Sequence, residues 1–143
     1  MDIFSSLKIS SSALRAQRTR LNTISSNLAN IETTRTPEGG PYRKREVVFQ
    51  SSAGSFSERL DRSMRGAVQG VEVAEIRTSS APPKMVYDPG HPDADDKGFV
   101  AMPNVNLLEE MADMTGAARA YEANVTAVKS AKRMALKALE IGR

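Results

Sequence analysis

The sequence contains no cysteine, no tryptophan and a single histidine. The missing cysteines exclude disulfides and thiolate chemistry, and they suit either a reducing cytoplasm or a site outside it. Aromatic residues make up 5% of the chain, too few for a large globular core. No apolar run approaches the ~18 residues that a membrane-spanning helix needs. The N-terminus has no apolar h-region and no A-x-A cleavage site, because serine and arginine interrupt each apolar run. It does not read as a cleaved secretory signal. Work outside the cytoplasm would need a route other than general secretion.

The usual marks of catalysis are missing as well. There is no G-x-S-x-G, no second histidine, and no glycine loop with Lys and Ser/Thr for phosphate. Glu109 and Glu110 are adjacent, so they point to different helix faces. They occupy a first turn, where the helix dipole favours carboxylates. The lone His91 stands in the run from Asp88 to Gly98. The nearest calcium template puts Asp93, Asp95 and Gly98 at loop positions one, three and six. Position five is then the cation Lys97, and position twelve is Asn104 where a bidentate Glu is needed. The segment reads as a solvated, turn-rich loop, and the expectation is a non-enzyme with no metal or cofactor.

Charge also narrows the classes. The net charge is +3 and the pI about 9.4. Lys44 and Arg45 sit beside Glu46, and Arg59 and Arg62 alternate with Glu58 and Asp61. No basic patch interleaves with aromatics, so no nucleic acid is expected, and without catalytic motifs no small-molecule substrate is expected either.

What the chain does have is helix. It is 40% apolar over 143 residues, enough for one domain or two small units, and the apolar residues collect at the two ends. Leu7, Leu14, Leu21 and Leu28 fall at every seventh position. Ile3, Ser10, Gln17, Ile24 and Ile31 interleave with them as a weaker row. Together they form the a/d seam of a coiled-coil strand, polar at Ser10 and Gln17. A helix from Ile3 to Ile31 would run roughly 43 Å at about 1.5 Å per residue, too long to bury a stripe against itself. Asp2 can cap its start. Lys8, Arg15, Arg18 and Arg20 on its surface would also suit a membrane-surface helix. The narrow stripe, with Phe4 as its one aromatic, favours helix packing.

Pro37 and the run Gly39-Gly40-Pro41 end this helix. Asn27 and Asn30 sit at its exit. They read either as capping and turn residues or, for Asn27, as bonding to backbone of the partner helix across the seam; both readings stand at this point. Strands are expected at Arg45–Phe49, Val71–Ile76, Lys84–Tyr87 and Phe99–Met102. The stretch 50–70 offers only Phe56, Leu60, Met64 and Val68 as apolar anchors. An insert of this size is marginal alone.

The helical period returns after Pro103. Asn104 or Asn106 can cap, with Glu109 placed as in a capping box. Leu107, Met111, Met114, Ala118, Tyr121, Val125, Val128, Ala135 and Leu139 hold an a/d row, broken by Lys132. Ile141 ends the helix and Gly142 stops it. Many alanines let neighbouring helices approach on more than one side. The expected fold is therefore α+β. Long N- and C-terminal helices form a coiled-coil-like hairpin, with a small β-rich insert between them. The divisions are 1–32, 33–103 and 104–143.

Ser26-Asn27-Leu28-Ala29-Asn30, with the run Thr33 to Tyr42, resembles the start of the axial proteins of the bacterial flagellar rod and hook. Pro103-Asn104-Val105-Asn106, Glu109-Glu110-Met111 and Tyr121-Glu122-Ala123-Asn124 are similar to the terminal signature of that family. The Thr36-to-Tyr42 run and the loop beginning at Asp88 point to its proximal-rod members. The resemblance implies a structural subunit of the basal-body rod in the periplasm, exported unfolded through the flagellar type III apparatus without a cleaved signal. Its implied partners are other copies of itself, other proximal and distal rod proteins, and the hook–basal-body protein at the membrane ring. The insert would lie outside, bracing adjacent subunits. On this reading Leu7, Leu14, Leu21, Leu28, Met111, Met114, Tyr121 and Val125 serve helix packing and assembly. Asn27, Asn30, Asn104 and Asn106 serve the joints between helices and insert. The alternative is a soluble coiled-coil adaptor or secretion chaperone that closes as a dimer.

Overall fold

A computed structural model describes residues 3–52 and 69–141. Asp2, the anchors Phe56, Leu60, Met64 and Val68, and Gly142 lie outside the described residues. In chain order the elements are α1 (Ile3–Ala29), β1 (Arg45–Ser51), β2 (Val71–Thr78), β3 (Lys84–Tyr87), β4 (Phe99–Met102) and α2 (Leu107–Ile141). The architecture is α+β, with two long helices flanking an antiparallel β region.

Helix α1 stops short of the expected Ile31 for a local reason. The Asn30 amide donates from Nδ2 to the Ser26 carbonyl at 2.8 Å, and its Oδ1 accepts from the Thr33 hydroxyl at 3.2 Å. The Ser26 carbonyl also accepts from the Asn30 N–H at 3.2 Å, so backbone and side chain of one residue close the last turn. The chain then reverses at Thr36–Gly40, where Gly39 and Gly40 take φ of 90° and 76°. Only glycine adopts that region without strain. Helix α2 begins where Asn106 Oδ1 accepts from the Leu108 N–H at 3.1 Å.

Strands β1 and β2 form one two-stranded antiparallel sheet, and β3 and β4 form another. In the first, Val48 faces Glu75 and Phe49 faces Val73, so Ala74 is an extra residue in β2. Such a bulge bends the strand and increases its twist. The first hairpin docks on α1 by a close contact. The Ser12 hydroxyl donates to the Ile9 carbonyl at 2.7 Å and accepts from the Val71 N–H at 3.1 Å. Gly70 lies directly against it. A Cβ at that position would sit 2.7 Å from Ser12 Oγ.

Helices α1 and α2 pack side by side and antiparallel. Asn27 near the end of α1 meets Glu110 at the start of α2, and Arg20 reaches Asp113 at 3.6 Å. The contact row on α2 is Glu110, Met114, Ala117, Tyr121, Asn124, Val128, Ala131 and Ala135, all buried or half-buried. Its spacing alternates four and three, which is a heptad pattern. It shares Met114, Tyr121, Val128 and Ala135 with the expected row. The other column is displaced by one residue, onto Glu110, Ala117, Asn124 and Ala131. Met111, Leu107 and Leu139, expected in the seam, are 50%, 47% and 72% exposed in this chain. On α1 the deepest positions are Ser10, Ala16, Thr23, Ile24 and Asn27, whereas Leu7, Leu14, Leu21 and Leu28 are half-buried. Small side chains at the crossing let the two backbones approach closely, and interaxial distance follows side-chain size.

Two glycine substitutions should act in opposite directions. Gly70→Ala forces Ser12 Oγ away from both of its partners and should lower stability by about 1–3 kcal/mol. Gly116→Ala meets nothing within 4 Å and should raise it by roughly 0.5–1 kcal/mol, because glycine inside a helix costs backbone entropy. Urea unfolding followed by circular dichroism measures both.

Candidate functional site

A buried polar cluster lies where α1, α2 and the insert meet, and Asn27 is its centre. Asn27 is 1% exposed, so each polar atom of its amide needs a protein partner. All four hydrogen bonds are made. Its Nδ2 donates to the Arg45 carbonyl at 2.8 Å and to Glu110 Oε2 at 3.0 Å. Its Oδ1 accepts from the Arg45 N–H and from the Tyr42 hydroxyl, both at 2.9 Å. One side chain of α1 thus holds the first residue of β1, the chain leading into it, and the first turn of α2.

Glu110 completes the junction. It too is 1% exposed, and Lys44 Nζ approaches its Oε1 at 2.9 Å. Burying this carboxylate is offset by the lysine charge, by Asn27, and by its place in the first turn of α2. The hydrogen bond to Glu110 raises the Lys44 pKa above its ordinary 10.5, against the opposing effect of burial. The charges of Glu110, Glu46 and Glu109 add to the rise. A cleft of about 230 Å³ opens beside the junction, lined by Arg20, Thr23, Lys44, Glu46, Glu110 and Asp113 among others.

The expected joint residues fare differently. Asn27 bridges to α2 through the Glu110 side chain and to β1 through backbone. Asn30 and Asn106 close the end of α1 and the start of α2. Asn104 is exposed at the rim of a second cleft, beside Tyr42, Arg43 and Pro83. Of the expected packing residues, Leu7, Leu14, Leu21, Leu28, Met114, Tyr121 and Val125 are half-buried, and Met111 is exposed. Lys44 and Glu110 are the junction residues that sequence reasoning missed. The signal for Glu110 was its place in the heptad of Met114, Ala117 and Tyr121. No metal-ligating group of three or more His, Asp or Glu occurs among the described residues. No described helix is long and apolar enough to cross a membrane.

Comparison with known proteins decides the family. The profile described as "Flagella basal body rod protein" matches residues 7–35. The profile described as "Flagellar basal body rod FlgEFG protein C-terminal" matches residues 96–141. A Bacillus subtilis "Flagellar basal-body rod protein FlgC" is 47% identical, with 100% of each chain covered. A Borreliella burgdorferi protein of the same name is 46% identical over 99% of this chain and 98% of its own. An Escherichia coli O157:H7 protein of that name is 43% identical over the whole of both. The chain belongs to the flagellar basal-body rod protein FlgC family. It is a structural subunit of the flagellar basal-body rod, and its relatives are named as rod proteins and not as enzymes. The two profile segments hold Asn27 and Glu110, the two ends of the junction's central hydrogen bond.

Two measurements probe the junction in this rod protein. Asn27→Ala leaves the Arg45 backbone, the Tyr42 hydroxyl and Glu110 short of partners, and should cost about 3 kcal/mol in urea unfolding. The Lys44 pKa is higher folded than unfolded, so its stabilisation is complete below pH 10.5 and is lost as pH rises through the folded value. Thermal melts from about pH 9 to 12 should show this alkaline loss, and Lys44→Gln should remove the lysine's share of it.

Proposed function

We propose that the chain builds the proximal rod, with its terminal helices packing in a coiled-coil-like manner against those of neighbouring subunits. The parts 1–32 and 104–143 then serve as the packing helices, and 33–103 as an outer brace. Export unfolded through the flagellar type III apparatus, without a cleaved signal, would bring it to the periplasm. There its partners are further copies, other proximal and distal rod proteins, and the hook–basal-body protein at the membrane ring.

One observation carries this reading. The leucine column Leu7, Leu14, Leu21 and Leu28 flanks the α1–α2 contact and is only half covered within the subunit. Apolar surface of this kind on a family of rod proteins is surface for neighbours. A shaft that carries torque gains from many such contacts, each worth about 1.5–3 kcal/mol per buried Leu-sized side chain. Heterologous contacts of this sort extend an open assembly and do not close a dimer.

Leu14→Asp and Leu21→Asp test it. Each places a carboxylate in a packed seam, at a cost of at least ~3 kcal/mol per contact. Export should persist while basal-body fractions lose the protein and the cells lose motility. A complete, rotating rod built from either variant contradicts the reading. So does a discrete, closed dimer of the native chain in light scattering.

A further inference from the structure

We infer that the outer face of the β3–β4 hairpin docks the basic, leucine-bearing end of α2 from a second copy of this chain. This rests on the reading of the chain as a self-assembling rod subunit.

The outer face of the hairpin is apolar. Tyr87 pairs with Phe99, Met85 with Ala101, and Val86 with Val100. Alternate residues of a strand share a face. Val100, on the inner face, is fully buried. On the outer face Met85 is 54% exposed, Tyr87 65% and Phe99 38%. The Tyr87 and Phe99 rings already stand edge-to-face at 5.3 Å, so this surface is formed before anything binds it. Its rim is acidic. The adjoining loop carries Asp88, Asp93, Asp95 and Asp96 against Lys97. It is held in shape by Asp95 Oδ1, which accepts from the Lys97 and Phe99 N–H groups.

The complementary surface is at the other end of the same chain. Leu136 and Leu139 are 52% and 72% exposed near the end of α2. Lys129, Lys132 and Arg133 share their helix face by the i, i+3, i+4, i+7 spacing. Apolar centre would meet apolar centre, and a cationic rim would meet an anionic one. One chain cannot make the contact with itself. The hairpin leads into α2 at Leu107, and Leu136 lies about 44 Å further along that helix at about 1.5 Å per residue. The contact is therefore heterologous, and repetition gives an open row.

The absence of native cysteine makes the test clean. Purified full-length Tyr87→Cys and Leu136→Cys chains are mixed and oxidised, with Ser80→Cys replacing Tyr87→Cys as the control. The mixed disulfide should form faster from Tyr87→Cys than from Ser80→Cys. A chain carrying both Tyr87→Cys and Leu136→Cys should give a ladder of oligomers. Adding Lys132→Glu and Arg133→Glu to the Leu136→Cys chain should slow the mixed disulfide roughly tenfold, and Asp96→Lys in the other chain should restore part of it. Equal rates for Tyr87→Cys and Ser80→Cys overturn the inference, as does a product that stops at a closed dimer. The chain carrying both Tyr87→Cys and Leu136→Cys, followed into basal bodies in cells, separates the two claims. Incorporation without the cross-link defeats this contact and leaves the rod reading intact, whereas no native chain in basal bodies defeats that reading.

Discussion

The subunit depends on one buried amide. Asn27 has no access to water, so the free energy of its four hydrogen-bonding positions is recovered only if Tyr42, Arg45 and Glu110 are all in place together. That requirement couples three parts of the chain that would otherwise be weakly joined. The helix pair has a narrow contact of small residues, and each two-stranded sheet is marginal alone. A polar junction is directional where apolar contact is not. It fixes the register of α1 on α2 and the position of β1 on both. Lys44 closes the arrangement by neutralising Glu110.

A subunit fixed in this way can leave much of its apolar surface uncovered. Ala16, Ile24, Val100, Ala117 and Ala131 are the deeply buried apolar residues among those described, and most of them are small. The large ones, such as Leu108, Met111, Leu136 and Leu139, stand out in solvent. For a monomer this distribution would be an aggregation hazard. For a rod protein it divides labour. Directional polar contacts within the subunit set its shape, and on the proposed reading the exposed apolar residues are left for contacts between subunits.

Much of the fold was legible in the sequence because it rests on local chemistry. Periodicity located both helices, and the short runs at Arg45, Val71, Lys84 and Phe99 located the four strands. The ends were set by Asn30 and Asn106, residue types that compete for free backbone groups. The site was less legible, and the reason is physical. Apolar periodicity marks every greasy column on a helix, without saying which faces its own chain and which faces a neighbour. On α2 the intramolecular column runs through Glu110, Ala117, Asn124 and Ala131, while the more apolar Leu107 and Met111 face out. Lys132 in the expected row was the sign of that displacement. Glu110 read as a dipole-favoured surface residue because its partner, Lys44, lies in a distant loop. Asn27 left two readings open because an asparagine near a helix end has a local use as well as a long-range one.

The direct test of the junction is a double-mutant cycle on Asn27 and Glu110. Urea unfolding would be measured for Asn27→Ala, Glu110→Ala, the double variant and the native chain. A coupling energy of about 1.5–3 kcal/mol, with the double variant less destabilised than the sum of the two, is predicted for a shared buried network. Additivity within about 0.5 kcal/mol would contradict the account, because the two residues would then act independently and not as one shared network.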